Sequence, residues 1–235
     1  ERLWSRMPPL SDWSWSPVFL DVDLDGFEDL LITTGHERDA LHMDYINRVE
    51  AKKSGEKLTP MEILNLQKVF PRLETSKAAF RNRGNLTFEE TSAAWGFDVP
   101  GVSHGMALAD LDNDGDLDVA VNSLNGLASL YRNEGSAPRL AVRLKGSAPN
   151  TRGIGAKIRV LGGPVPQSQE MICGGRYLSS DDAERVFAAG NAANELTIEV
   201  TWRDGQRSVI QGAKPNRIYE IDAPQATGSR ADKSG

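Results

Sequence analysis

Short apolar runs alternate with clusters of aspartate and glycine in the first half of the chain. An apolar run at residues 15–20 precedes one acidic cluster, and a β-prone run at residues 30–34 follows it. A second copy has apolar residues 106–109 before its cluster and residues 119–121 after it. Short β-prone runs bounded by turn residues are typical of strands, so the pattern predicts two copies of one strand–loop–strand unit.

The segment between the two copies has a helical pattern instead. Apolar residues recur at helical spacing from Leu41 to Val49. Thr59 stands just before Pro60 and three residues before Glu62, which is the arrangement of a capping box at the start of a second helix. We therefore predict a helical insertion at about residues 37–72, within one of the two repeats.

The rest of the chain is predicted to be β-structure. A hairpin is expected at residues 79–89, turning at residues 83–85. From residue 139 on, turn-forming residues separate short β-prone runs. These runs predict strands at residues 140–144, 156–161, 169–173, 196–202, 208–211 and 218–221. Residues 224–235 lack large apolar side chains and are expected to form a disordered tail.

Both acidic clusters have the pattern D-x-D-x-D-G-x-x-D, at residues 21–29 and 110–118. Ca²⁺ takes six to eight oxygen ligands, so closely spaced carboxylates with a glycine at the turn suit it. We expect side-chain ligands at the four aspartate positions and a backbone carbonyl ligand at position seven. These residues are Asp21, Asp23, Asp25, Phe27 and Asp29 in the first loop, and Asp110, Asp112, Asp114, Asp116 and Asp118 in the second.

Other proteins that use this pattern fit less well. An EF-hand needs a bidentate glutamate at position twelve and flanking helices, but position twelve is Ile32 in one loop and Val121 in the other. Dockerin-like modules also place a helix after the loop, where this chain has β-branched residues. Two calcium sites between strands are thus the prediction, with the ion stabilising the turn.

The acidity of the chain is concentrated in these loops. They hold ten of its 33 acidic residues, whereas the remaining 23 face 27 lysines and arginines. No run of basic residues indicates nucleic-acid binding, and no apolar run is long enough to span a membrane. The single cysteine, Cys173, excludes an intrachain disulfide. The first 17 residues contain no signal-peptide pattern and no initiator methionine, as expected of a mature or excised segment.

The segments around both loops resemble FG-GAP/VCBS repeats, which form the calcium-loop blades of integrin-type β-propellers. They are WSPVFLDVDLDGFEDLLITTGH and SHGMALADLDNDGDLDVAVNSLNGLASLYRNEG, joined by KAAFRNRGNLTFEETSAAWGF. RLAVRLKGSAPNTRGIGAKIRVLGG, GGRYLSSDD, LTIEVTWRDGQ and PNRIYEI resemble the ASPIC/UnbV domain. The combination is similar to the cartilage acidic protein (CRTAC) family and its bacterial relatives.

This resemblance implies a mainly β fold in two parts. Residues 1–138 would form a partial β-propeller of about two FG-GAP-like blades, and residues 139–223 a β-sandwich-like ASPIC/UnbV domain. A propeller closes with about four to eight blades, so the remaining blades are expected upstream in the parent chain. Where relatives carry H-F-G-L-G, this sequence has Phe187-Ala188-Ala189-Gly190 without the histidine.

Motifs for catalysis are incomplete. Residues 101–105 match G-x-S-x-G, but a nucleophile elbow needs a helix after its serine and a later histidine, and none follows His104. His36 and His42 lie near acidic residues without completing a zinc-type set. Residues 179–182 are expected to form a hydrogen-bonded polar loop. The five tryptophans, which could form a carbohydrate platform, are expected mostly in the core. These are Trp4, Trp13, Trp15, Trp95 and Trp202.

The sequence as a whole predicts a calcium-stabilised, non-enzymatic binding or adhesion module located outside the cytoplasm: extracellular, on the cell surface or in the periplasm. Its partner is expected to be a protein or a glycan, bound by the helical insert or the C-terminal domain. Two alternatives remain open: a fragment of a larger propeller-borne enzyme acting on glycans, and a structural spacer of a surface protein. An enzyme should bring polar groups together in one deep pocket.

Overall fold

The computed structural model describes residues 13–55 and 57–224. Trp4 and the predicted tail beyond residue 224 therefore lie outside the described residues. The fold is mainly β, as expected, with sixteen strands and two helices in the described part. Three units follow one another along the chain: two blade-like antiparallel sheets and a β-sandwich.

The first blade is a four-stranded sheet in the order β1-β2-β4-β5. A two-residue strand, β3 (Thr75–Ser76), precedes β4 and pairs with β6 (Pro100–Gly101). The four strands of the blade are β1 (Ser14–Leu20), β2 (Asp29–Thr34), β4 (Ala78–Asn82) and β5 (Phe88–Glu90).

The helical insert connects β2 to β3. It contains α1 (Met43–Gly55) and α2 (Pro60–Gln67). The predicted capping box is confirmed, because the Thr59 side chain accepts a hydrogen bond from the Glu62 N–H and the Glu62 carboxylate accepts one from the Thr59 N–H. Each helix has one buried apolar side chain among those described, Val49 in α1 and Leu66 in α2.

The second blade repeats the geometry of the first. It consists of β7 (Ser103–Ala109), β8 (Asp118–Ser123) and β9 (Ser129–Tyr131). Its first two strands pair in the same register as β1 and β2, with an irregularity at the same place: between Ser103 and Met106 here, and between Ser14 and Pro17 in the first blade. The two copies of the predicted repeat therefore have the same pairing of residues between their first two strands.

Two sheets form the C-terminal sandwich. One has the order β13-β10-β16, with β10 parallel to β16, and the other the order β12-β11-β14-β15. The strands are β10 (Arg139–Lys145), β11 (Lys157–Leu161), β12 (Gln167–Glu170), β13 (Glu184–Ala188), β14 (Leu196–Thr201), β15 (Arg207–Ala213) and β16 (Arg217–Asp222).

Two of these strands differ from the prediction. The strand expected at residues 169–173 is shifted to β12, because the chain leaves the sheet before the positive-φ residues Gly174 and Gly175. Cys173 is consequently an exposed free thiol outside the strand. No strand was predicted at β13, whose five residues are all buried.

The sheet that contains β10 and β13 lies between two hydrophobic cores. Leu140 and Phe187 belong to the core inside the sandwich. Ala141 and Val186, which are their neighbours in sequence, belong to a second core that also contains residues of both blades, such as Val18 and Met106. The blades and the outer face of this sandwich sheet therefore share the second core.

Candidate cation sites

The two acidic loops have the same backbone hydrogen bonds. In the first loop, both carboxylate oxygens of Asp21 accept bonds, from the Asp25 and Gly26 N–H groups at 3.0 and 2.8 Å. In the second loop, Asp110 accepts the equivalent bonds from Asp114 and Gly115 at 3.1 and 3.0 Å. The first aspartate therefore fixes the turn and holds its own carboxylate inside the loop.

Positive φ angles are required at two positions of each loop. Leu24 and Asn113 have φ values of 56° and 60°, and Gly26 and Gly115 have values of 98° and 94°. The glycines meet this requirement without a Cβ penalty. The glycine of the D-G pair in each loop is therefore needed for the backbone conformation of the turn.

The last aspartate of each loop links it to the neighbouring strands. Asp29 accepts hydrogen bonds from the Val22 N–H at 2.9 Å and the Asn82 N–H at 2.8 Å. Asp118 accepts the matching bonds from the Leu111 and Asn133 N–H groups, both at 2.8 Å. Asn82 is 53 positions after its aspartate and Asn133 only 15, and this difference of 38 positions is the helical insert with its connections.

Three carboxylates come together in each loop. Asp21, Asp23 and Asp29 offer oxygens within 4.8 Å of one another, and Asp110, Asp112 and Asp118 do the same. Among the described residues, these are the two groups of three or more potential metal ligands. The pairs His36–Glu37 and His42–Asp44 belong to neither group.

The fifth-position aspartates are placed differently. The Asp25 Oδ1 accepts the Phe27 N–H at 2.9 Å, and its Oδ2 lies 3.5 Å from the Arg81 guanidinium. The Asp114 Oδ1 lies 3.0 Å from the guanidinium of Arg139. The side chain of Asp116 also faces Arg139, at 3.3 Å.

The residues of the loops fit a divalent cation. The Oδ1 of Asp23 is buried and makes no hydrogen bond to any described residue, so one potential ligand atom has no hydrogen-bond donor from the protein. Burial raises the pKa of Asp21 to about 7, and the charges of Asp25 and Asp29 add to the rise. Burial likewise raises the pKa of Asp29 to about 6, against the hydrogen bonds from Asn82 and Val22. A bound cation would offset this cost of burying several negative charges.

Sequence reasoning missed the residues that support the loops from the neighbouring strands. Arg81 forms a salt bridge with Asp23, and Arg132 one with Asp112 at 3.3 Å. The asparagine after each arginine donates to the last aspartate, as described above. The signal was present in the sequence, since R-N-x-G occurs at residues 81–84 and again at residues 132–135.

The other candidate motifs have structural roles. Ser103 is fully buried in β7, where no helix follows it, so the G-x-S-x-G match is not a nucleophile elbow. Residues 179–182 are a hydrogen-bonded loop, as expected: Ser179 donates to the Met106 carbonyl and Asp181 accepts from the Leu108 N–H. This loop therefore attaches the sandwich to the second blade.

The four tryptophans among the described residues fall into two groups. Trp202 lies in the sandwich core, and Trp95 packs against the core shared with the blades. Trp13 and Trp15 stack at 6.0 Å instead, and the His36 ring lies 4.4 Å from the ring of Trp13. The Trp15 ring also contacts the rings of His104 and Tyr177 at 4.5 and 5.1 Å.

Repeated blades with acidic loops, joined to a sandwich through a shared core, are the architecture of a modular β protein. Residues 73–121 match the family described as FG-GAP-like repeat, and residues 146–228 match the family described as ASPIC and UnbV. The chain thus carries an FG-GAP-like repeat followed by an ASPIC/UnbV domain, as its sequence predicted. A search of curated proteins found no match.

These findings define the type of module. FG-GAP repeats are typical of extracellular proteins, and the two kinds of domain are typically non-catalytic adhesion or structural modules. FG-GAP repeats often bind calcium, and the two acidic groups could hold a metal ion. No helix in the described part of the chain is long and apolar enough to cross a membrane.

Proposed function

We propose that the chain is a calcium-stabilised, non-enzymatic binding module that acts outside the cytoplasm. The observation that carries this proposal is the repetition of one ligand geometry in two loops. The same aspartate positions converge, and the same backbone groups orient them. All the converging side-chain ligands are carboxylates, the hard oxygen donors that Ca²⁺ prefers.

We propose Asp25, Asp114 and the carbonyls of Phe27 and Asp116 as further ligands of the two ions. The Oδ1 of Asp114 is held by the Asp116 N–H and by Arg139, which supports the use of its Oδ2 for the cation. Asp25 has the equivalent position in the first loop, where its Oδ1 accepts the Phe27 N–H and its Oδ2 lies 3.5 Å from Arg81. The resemblance to the CRTAC family and the FG-GAP-like repeat support the biological setting that we propose, an extracellular, surface-bound or periplasmic protein.

We also propose that further FG-GAP-type blades of the parent chain pack on the second blade. The repeat supports this, because one face of the first blade is covered by the second blade. On that face Val18, Leu31 and Ala79 are at most 3% exposed. Their equivalents by strand register are Ala107, Ala120 and Leu130. Leu130 is 70% exposed, and Ala107 and Ala120 line a groove of about 400 Å³.

The helical insert is the surface that we propose for an external partner. It exposes large apolar side chains, which favours a protein over a glycan at this surface. They are Leu41, Met43, Met61 and Leu64, each more than half exposed.

Thermal unfolding with and without calcium tests the function. A ligand that binds only the folded state at 100 times its Kd stabilises by about 2.7 kcal/mol. For a chain of this size, each kcal/mol raises Tm by about 2–4 °C. We therefore expect Ca²⁺ to raise Tm by several degrees relative to a chelator, and Mg²⁺ to raise it less, because Mg²⁺ requires near-ideal octahedral geometry.

Single-loop variants provide the control for this experiment. Asp112→Ala should reduce calcium binding from two ions to one per chain, and Asp23→Ala, at the equivalent position of the first loop, should do the same. A Tm that is independent of calcium, or the loss of both ions in either variant, would contradict two independent stabilising sites.

A further inference from the structure

Arg139 connects the second acidic loop to the C-terminal sandwich. It is the first residue of β10, and its side chain is 10% exposed. The Nη2 group donates to the Asp114 carbonyl at 2.7 Å and lies 3.0 Å from the Asp114 Oδ1. The Nη1 group donates to the Gly135 carbonyl at 2.9 Å. One guanidinium thus contacts both the loop and the segment that leads into the sandwich.

These contacts orient Asp114. Its Oδ1 receives the Asp116 N–H at 3.1 Å in addition to the guanidinium of Arg139. The two donors occupy Oδ1 and leave Oδ2 as the oxygen available to a cation. A charged group that holds a ligand in this way typically changes metal affinity when it is removed.

Asp116 makes the arrangement specific to the second loop. It is 1% exposed, and its Oδ2 lies 3.3 Å from Arg139. Neither of its carboxylate oxygens makes a hydrogen bond to a described residue. The first loop has Phe27 at this position, and the arginine near its fifth-position aspartate, Arg81, comes from its own blade.

The backbone of Arg139 is held by the sandwich. It pairs with Ala188 in β13, and its N–H donates to the Asn216 side chain at 3.3 Å. The preceding residue, Pro138, accepts the Ala189 N–H at 2.8 Å. A shift of the sandwich relative to the second blade would therefore move the guanidinium away from Asp114.

We propose that Arg139 is a positioning residue of the second cation site, so that calcium binding at this loop is coupled to docking of the sandwich. Among the described residues, the aspartates of the first loop form salt bridges with Arg81 of their own blade and with no arginine of the sandwich. The inference rests on the proposed function, because it takes the second loop to bind Ca²⁺.

Calcium titration calorimetry on single-site proteins tests the proposal. Asp23→Ala leaves the second loop as the binding site, and Asp112→Ala leaves the first. Adding Arg139→Gln should raise the Kd for Ca²⁺ about 10- to 100-fold in the Asp23→Ala protein. The same substitution should leave the Kd unchanged in the Asp112→Ala protein. Arg152→Gln, at an exposed arginine, is the matched control and should change neither Kd.

Amide hydrogen exchange in β10 tests whether calcium binding at the second loop affects the sandwich. If Arg139 acted only within the loop, this exchange would not change. Calcium added to the Asp23→Ala protein should slow amide exchange in β10, and Arg139→Gln should abolish this slowing. Arg139→Lys keeps the charge but not the planar guanidinium that contacts two groups. In the Asp23→Ala protein, its Kd for Ca²⁺ should therefore lie between that with Arg139 and that with Arg139→Gln. This variant carries the test if Arg139→Gln does not fold.

The possible failures are distinguishable. If the unsubstituted chain binds no calcium, the proposed function is wrong and the coupling with it. If both loops bind calcium and Arg139→Gln leaves the second site unchanged or tighter, the coupling is wrong while the proposed function stands. An unchanged Kd in Arg139→Lys would exclude the role of the guanidinium geometry.

Discussion

Gly26 and Gly115 occupy the same position in two copies of one loop, yet they have different surroundings. Both have φ near 95°, a conformation that L side chains rarely adopt. A Cβ on Gly26 would lie 2.9 Å from the Cγ2 of Val165 in the sandwich. On Gly115 it would meet nothing closer than the Arg139 Nε at 3.7 Å. The first loop is therefore in tight contact with the sandwich at its glycine.

Alanine at the two glycines should consequently have unequal effects. Both Gly26→Ala and Gly115→Ala should reduce the free energy of unfolding by about 1–2 kcal/mol through the positive φ. Gly26→Ala should cost more, because the β-branched Val165 cannot rotate away easily. Urea denaturation of the two variants measures the difference, and equal losses would indicate that the loop moves freely against the sandwich.

At the scale of elements, the second blade uses its two faces differently. Met106 and Val121 point into the shared core, whereas Ala107 and Ala120 lie on the opposite, partly exposed face. This alternation is the period of two that a strand requires. In the sequence, residues 106–109 and 119–121 are uninterrupted apolar runs, so the sequence did not show which face of which blade is covered.

Two leucine truncations test this difference between faces. Leu31, in the first blade, is 3% exposed between the two blades, and Leu→Ala at such a site typically costs about 2–5 kcal/mol. Leu130, on the free face, is 70% exposed, so Leu130→Ala should change the free energy of unfolding by less than about 0.5 kcal/mol. A large loss for Leu130→Ala in this chain would show that its face is already packed.

For the molecule as a whole, the decisive feature is the contact between the sandwich and the blades. Asp181 lies at this contact with its side chain 7% exposed. Its Oδ1 accepts the Leu108 N–H of β7 at 3.0 Å, and its carboxylate pairs with Arg176 at 2.6 Å. Asp181 belongs to the segment GGRYLSSDD, which resembles the ASPIC/UnbV domain. This segment therefore covers the β7 edge of the second blade.

Removing this carboxylate should loosen the contact. Asp181→Ala leaves a part-buried N–H and a guanidinium without their partner, which should cost about 1–3 kcal/mol of unfolding free energy. Chemical denaturation followed by fluorescence measures the loss. Asp204→Ala is the control, since Asp204 is exposed and bonds only within its own turn. A loss no larger than that of the control would show that Asp181 contributes nothing to docking.

The sequence by itself determined the features that depend on local chemistry. The D-x-D-x-D-G-x-x-D loops, the capping box at Thr59 and most strands follow from turn geometry, capping and periodicity, which act over a few residues. Only the tertiary structure revealed β13, because its residues face two cores at once and show no polar alternation. Likewise, the role of Arg139 depends on the packing of β10 beside a loop 25 positions earlier in the chain, and no local pattern encodes that distance.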